Sequence, residues 1–304
     1  MKKSILILTD FSENALHAAE EAFALAGQLR LNLVLLNCND TITAVTYYPV
    51  VPVLSDSPTW YEDRKSKLKL IAEHLEKKFH NTLPEQARPV IKRLIREGDL
   101  QTNLKDLLKR QPIEMIVMGA RSGSSTEHFL FGSDTKTVAD HASIPVLIVP
   151  FEHGIRQVLH ITFATNFLEQ DIDALHYLLE IRQKLGAKLD ILHIRLYGQL
   201  PGPRDPQVER IIHESCIAKP SMITITEVYG KEIGSRINHY CKTQNSDILA
   251  LSHEHHSLLF RAFNEGVVTK RLSDHQIPLL IIPELKISKE TAEDTMRGLS
   301  NIIF

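Results

Sequence analysis

Residues 115–150 read MIVMGARSGSSTEHFLFGSDTKTVADHASIPVLIVP, and the fold class follows from how this stretch is punctuated. Met115 to Met118 is an apolar run of the length expected of a buried strand. Glycines at 119, 123 and 132 then break the chain, and Ser133 suits a helix N-cap. After that helix, Ile144 to Val149 form a second apolar run. Pro145 stands at its start, where a missing N–H is tolerated. Strand, glycine-rich loop, helix and strand in that order make a βαβ unit of a parallel sheet. Gly119 and Gly123 would let backbone approach a ligand closely, and Gly132-Ser133 would place free N–H groups at a helix N-terminus. The pattern implies a cradle for phosphate.

Upstream, residues 4–9 (SILILT) read as a buried strand and Asp10-Phe11-Ser12 as the turn after it. Ser12 can cap a helix with Ala15, Leu16, Ala19, Ala22, Phe23 and Ala26 on one face, closed by Gly27. Leu31 to Cys38 is the next strand, so Asp10 and Cys38 fall at carboxyl ends of strands, where open α/β sheets bind ligands. Residues 39–60 form a long, apolar, proline-containing loop of the lid or partner-docking kind. A charged helix from about Glu62 to Phe79 follows, then a strand over Val90 to Arg96 and a helix over Leu100 to Arg110.

The chain repeats itself. Ile161 to Ile194 matches Ile5 to Cys38 without a gap, Ile248 to Ser252 matches Met115 to Gly119, and DHQIPLLIIP (274–283) matches DHASIPVLIVP (140–150) with one residue dropped. The expected architecture is two doubly wound, five-stranded parallel-sheet domains in tandem, Rossmann-like, over residues 1–152 and 153–284. Residues 285–304 form a tail with weak amphipathic character. At the equivalent sites Asp10 becomes Asn166 and Gly119 becomes Ser252, and SHEHHSLLFRAFNEG (252–266) holds no glycine before Gly266. A ligand site is therefore expected in the first domain alone.

With 304 residues, 43% of them hydrophobic and 24% charged, the chain has enough apolar residues for two cores. A net charge of -2 predicts no electrostatic binding to nucleic acid or anionic lipid. Cys38, Cys216 and Cys241 are odd in number and widely spaced, as suits reduced thiols. No apolar run is long enough to span a membrane, and the acidic residues from Asp10 onward end the first one early. The expected location is cytoplasmic.

The order Gly119, two residues, Ser122, nine residues, Gly132-Ser133, preceded by TDFS (9–12), resembles the nucleotide loop and first turn of the universal stress protein family, with Ser122 in place of a glycine. Twice in one chain, the frame is similar to a tandem two-domain member. The resemblance implies an adenine nucleotide, ATP or ADP, bound in the first domain of a stress-response regulator. Asp10 would contact adenine or ribose and the backbone at Cys38 the adenine edge. Met118, Gly119, Arg121, Ser122 and the adjacent Gly123 would line ribose and phosphates, and Gly132, Ser133 and Thr135 would hold the phosphates. It also implies pairing through the last strand of each domain, here within one chain, so that a further homodimer or a protein partner would use loop 47–54 or the tail. Asp134 would repel phosphate unless a divalent cation such as Mg²⁺ lay between them.

Plainer readings stand beside these. Asp10 can serve only as a turn residue, Arg121 as a solvated loop charge and Cys38 as core. His253, His255 and His256 suggest a metal, yet three or four converging ligands are wanted and the spacing fits solvated histidines as well. No G-x4-G-K-[ST] loop is present and no base stands near the glycine loop, so the expectation is a binder with at most slow ATP hydrolysis. The alternative is a nucleotide-free interaction scaffold with both sites decayed.

Overall fold

The apolar runs fold as strands and the amphipathic runs as helices, in the alternation of an α/β chain. The computed structural model describes residues 2–39, 58–122, 129–130, 133–151, 157–198, 200, 202, 204–252 and 277–284. In order these give β1 (Ser4–Leu8), α1 (Glu13–Leu29), β2 (Asn32–Asn39), α2 (Pro58–Lys78), β3 (Ile91–Glu97), α3 (Leu100–Arg110) and β4 (Ile113–Gly119). The short β5 (Arg121–Ser122) and β6 (Phe129–Leu130) pair with each other, before α4 (Ser133–His141) and β7 (Val146–Val149). Then come β8 (His160–Ala164), α5 (Asp171–Leu185), β9 (Lys188–Leu196), α6 (Pro206–Ala218), β10 (Ile223–Gly230), α7 (Ile233–Gln244), β11 (Ile248–Ser252) and β12 (Leu279–Ile282). The apolar loop 40–57, most of the glycine loop, His253, His255, His256 and the tail 285–304 lie outside the described residues.

The chain divides into two compact units, residues 1–119 and 120–304. In the first, strands run β4-β1-β2-β3, all parallel. In the second they run β10-β9-β8-β11-β12-β7, parallel except for the last pair. In both, the chain leaves the first strand of the repeat on one side and returns on its other side, which makes a switch point at that strand's carboxyl end. Ile5, Leu6, Ile7, Leu33 and Leu35 in one unit, and Phe163, Leu189, Ile191 and Leu280 in the other, are at most 1% exposed. Such continuous apolar strands are those of a sheet covered on both faces. Within the second unit, Val146, Leu147 and Ile148 of β7 pair antiparallel with Ile281, Leu280 and Leu279 of β12.

Local chemistry moved three expected boundaries. Helix α2 begins at Pro58, inside the stretch read as loop, since proline's fixed φ suits a first helical turn. Helix α1 runs through Gly27 to Leu29 and closes on Arg30 in the left-handed region (φ 54). Gly27 is instead a packing position: a Cβ there would lie 2.7 Å from Leu83 Cδ1. Helix α5 starts at Asp171, two residues later than its alignment with α1 implies, and its left-handed cap is Gly186.

At the amino-terminal end of β8 and β9 the second unit buries a polar network. His160 Nδ1 lies 2.9 Å from the Gln244 carbonyl and Nε2 lies 2.8 Å from Asp190 Oδ2, off the line of a hydrogen bond. Asp190 also accepts from Thr224 and, at 2.9 Å, from Tyr240. The contact with Asp190 holds His160 above its ordinary 6.5, and burial opposes it. For Asp190, burial would raise the carboxyl, but His160, Thr224 and Tyr240 outweigh it and keep it below 3.8. A raised histidine contributes stability that is full below 6.5 and lost as pH rises through the raised value. A depressed carboxylate contributes stability above 3.8 that is lost as pH falls through the lowered value. The pair is thus strongest between those limits. A double-mutant cycle of His160→Gln and Asp190→Asn, read by urea unfolding, is expected to give a coupling of about 1–3 kcal/mol near pH 5.5 that declines by pH 9. A coupling that grows with pH would contradict this.

Candidate functional site

The register puts the expected residues of the first unit on one level. Leu8 pairs with Leu36 and Ile7 with Val117, so at the carboxyl end of the sheet Asp10 is level with Cys38 and the preceding Thr9 with Gly119. Asp10 is exposed, and its Oδ1 accepts from Ser12 N at 2.9 Å, so the turn role is real; Ser12 caps α1 by accepting from Ala15 N. Cys38 is half-buried and outside any disulfide, and Met118 is buried. Gly119 packs directly on the start of α1, where a Cβ would stand 2.6 Å from the Asn14 carbonyl oxygen. The chain itself requires this glycine, whatever a ligand requires.

Around that end stands a cluster the sequence reading did not name. Phe11 holds φ 67, an uncommon conformation for a bulky residue, with its N–H on Thr9 Oγ1 at 3.1 Å. Buried Asn37 donates to the Thr9 carbonyl at 2.7 Å. Arg64 of α2 donates to Asn37 Oδ1 and, at 2.8 Å, to Asn39 Oδ1. Its guanidinium carbon lies 5.9 Å from the Phe11 ring centroid and 5.8 Å from that of Trp60, and Lys67 Nζ lies 5.6 Å from Phe11.

Of the expected loop residues, Arg121 and Ser122 form β5, Ser133 opens α4 with Asp134 in its first turn, and Thr135 is 3% exposed. Gly123 and Gly132 lie outside the described residues. Among the described residues, no group of three His, Cys, Asp or Glu is placed to hold a metal.

In the second unit the corresponding strand end is occupied by the chain. Phe167 repeats the positive φ (59) but is 2% exposed, and Arg204 lies 4.3 Å over its ring. Arg204 pairs with Glu227, and with Glu209 at 3.4 Å, while Arg195 reaches Glu227 at 2.9 Å. Burial alone would raise Glu227; Arg204 and Arg195 hold it below its ordinary range. Where the first unit has Ala15 against Gly119, the second has Asp171 accepting from Ser252 Oγ and Thr165 Oγ1, each at 2.5 Å. Burial pushes the Asp171 carboxyl up despite both bonds.

The family profile described as Universal stress protein family matches residues 1–150. Residues 1–150 belong to the universal stress protein family. A universal stress protein from Archaeoglobus fulgidus DSM 4304 is similar at 16% identity over 92% of this chain and 98% of its own, with a TM-score of 0.67. A functionally unknown protein, PA1789 of Pseudomonas aeruginosa PAO1, aligns at 13% identity over 99% of this chain and 96% of its own, TM-score 0.56. The cytoplasmic domain of a prokaryotic cation chloride cotransporter aligns at 11% identity over 96% and 100%, TM-score 0.53. No match was found among curated proteins. At such identities the likeness is one of fold, and a fold serves many functions. The universal stress protein frame accounts for where Asp10 and Gly119 stand, but not for Arg64 and Trp60. Those come from α2, which follows a segment without counterpart in the second repeat, and a run of charges there reads as a solvated face. No helix among the described residues is long and apolar enough to cross a membrane.

Proposed function

We propose that the chain is a tandem universal stress protein whose first domain, residues 1–152, binds ATP or ADP, while residues 153–284 form a second domain of the same kind that does not. The observation that carries this reading is the contrast between the strand ends. In the first unit Asp10 is exposed beside a half-buried Cys38. In the second, Phe167 is buried under Arg204, and the Asp171–Ser252 pair fills the place next to it. The nucleotide is read as a signal, not a substrate, with at most slow hydrolysis. Asp10, Cys38, Met118, Gly119, Arg121, Ser122, Gly123, Gly132, Ser133 and Thr135 are its proposed contacts, with Mg²⁺ between Asp134 and the phosphates.

Calorimetry on the full chain is expected to give one site for ATP, weakened by chelator. Gly132→Val should abolish binding with an unchanged unfolding midpoint, because a branched Cβ fills the space a phosphate needs. Two equal sites, or full binding by Gly132→Val, would count against the reading. The second reading, an interaction scaffold, is favoured by one observation. Tyr197 and Tyr229 stack at 6.3 Å while 59% and 51% exposed, near Leu200 in sequence, itself 92% exposed. Absence of any nucleotide binding together with loss of a partner on Tyr229→Ala would favour it.

A further inference from the structure

We infer that strand β10 is the edge through which two copies of this chain pair, antiparallel about a two-fold axis at Glu227. The inference stands apart from the nucleotide reading, since every residue that carries it lies in the second unit. β10 is the outermost strand there, beside β9. Leu189 N donates to the Met222 carbonyl at 2.8 Å and Tyr197 N to that of Gly230 at 3.0 Å. Along a parallel strand, successive residues turn their N–H and C=O to opposite sides. The even-numbered residues of β10 therefore face β9, and Ile225, Glu227 and Tyr229 turn theirs outward. Among the described residues nothing takes up those outward groups, and such a row is a template for another strand.

The two repeats treat this edge differently. By register against β2 and β9, Arg93 and Glu97 of β3 stand where β10 has Ile225 and Tyr229. With exposed Lys92 and Arg96 they make β3 a charged edge, of the kind that resists pairing. Two copies of β3 side by side would also gather a surplus of positive charge. β10 instead carries β-branched and aromatic residues, the best strand formers. Ile225 is 45% exposed, and Tyr229, also exposed, stacks on Tyr197. The one charge of β10, Glu227, is held by Arg195 at 2.9 Å and by Arg204, so it does not guard the edge. A second copy fits because the strand complements itself. With the axis at Glu227, each Ile225 lies opposite Tyr229 of the other copy, a β-branched–aromatic pair, and all the outward groups are used. The two Glu227 carboxylates meet at the axis, where the guanidiniums already on them offset their repulsion.

The test is sedimentation equilibrium of the full chain from about 1 to 200 µM, since one strand pair stands at the weak end of specific interfaces. A reversible dimer that dissociates in the micromolar range is expected. Ile225→Pro removes an N–H that points outward, so β10 keeps its bonds to β9 and the chain stays folded while the dimer is lost. Arg93→Pro, the same change on β3, is expected to leave the dimer as it is. Ile225→Glu and Tyr229→Lys are each expected to weaken association about tenfold or more. Mixed one to one, the two variants should associate within about threefold of wild type. In that mixed pair the new carboxylate faces the new ammonium, and the other Ile225–Tyr229 pair is intact. A chain that stays monomeric throughout would overturn the inference. So would a dimer that survives Ile225→Pro, or one that Arg93→Pro abolishes instead. Two weakened variants that fail to restore each other would overturn the two-fold at Glu227, and the self-pairing with it.

Discussion

Leu147→Lys is expected to leave no soluble folded chain. Leu147 is 0% exposed at the centre of β7, its partner Leu280 on β12 is 1% exposed, and every residue of both strands is buried. A lysine there loses the leucine's packing and buries an ammonium among apolar strand residues, two mechanisms that each reach several kcal/mol. Together they exceed about 4 kcal/mol, a large part of the 5–15 kcal/mol that holds an ordinary domain. Leu147→Met keeps volume and polarity and is expected to cost less than about 1.5 kcal/mol. The measurement is soluble yield and urea unfolding of both variants. A folded, monomeric Leu147→Lys chain with a wild-type midpoint would show that the β7–β12 pair does not carry stability.

The second large effect is expected from exchanging the residues that close the two strand ends. Gly119→Ser places a Cβ 2.6 and 2.8 Å from the carbonyl oxygen and carbon of Asn14, and 3.2 Å from Ala15 N. All three are backbone atoms, so the start of α1 must shift, at a cost of about 1–3 kcal/mol. Ser252→Ala removes a donor from Asp171, which is 2% exposed, and costs about the same near neutral pH. The pH dependence gives the second substitution its signature. Burial raises the folded-state value of Asp171 above 3.8. Its effect on stability is therefore least unfavourable below 3.8 and becomes a full penalty as pH rises through the raised value. Removing a donor to the ionised form deepens that penalty, so the Ser252→Ala deficit should be larger at pH 7 than at pH 3.5, whereas that of Gly119→Ser should barely change. Deficits with the opposite order would mean that Ser252 does not serve the Asp171 carboxylate.

Strands such as β1, β7 and β12 were legible because they are unbroken apolar runs, and a buried strand needs little else. The repeat was legible for the same reason: Ile161–Ile194 lies over Ile5–Cys38 since both bury the same faces. Asp10, Cys38 and Gly119 followed from strand ends. What escaped the sequence depends on contacts distant along the chain. Gly27 looks like a helix stop until Leu83 is seen against it. Asn37 and His193 do one job, each meeting the carbonyl of the threonine that follows the first strand, but share no chemistry that an alignment would match. Arg64 looked like one charge among many on α2, and only the amides at the end of β2 single it out.

The antiparallel pair of β7 and β12 also sets the order of events in biosynthesis. Ile148 and Leu279 are partners across more than 130 residues of chain. At roughly 5–20 residues per second, the ribosome needs on the order of ten seconds to deliver β12 after β7 has been made. Throughout that interval Val146 to Val149 present an uncharged β-rich segment with an open edge, the kind that nucleates association between nascent chains. Closing the sheet is then a late event of high contact order, and it carries the slow rate that such contacts impose. Chains stalled or truncated before residue 279 would be held unfinished at that edge, and a holdase would find its binding segment there.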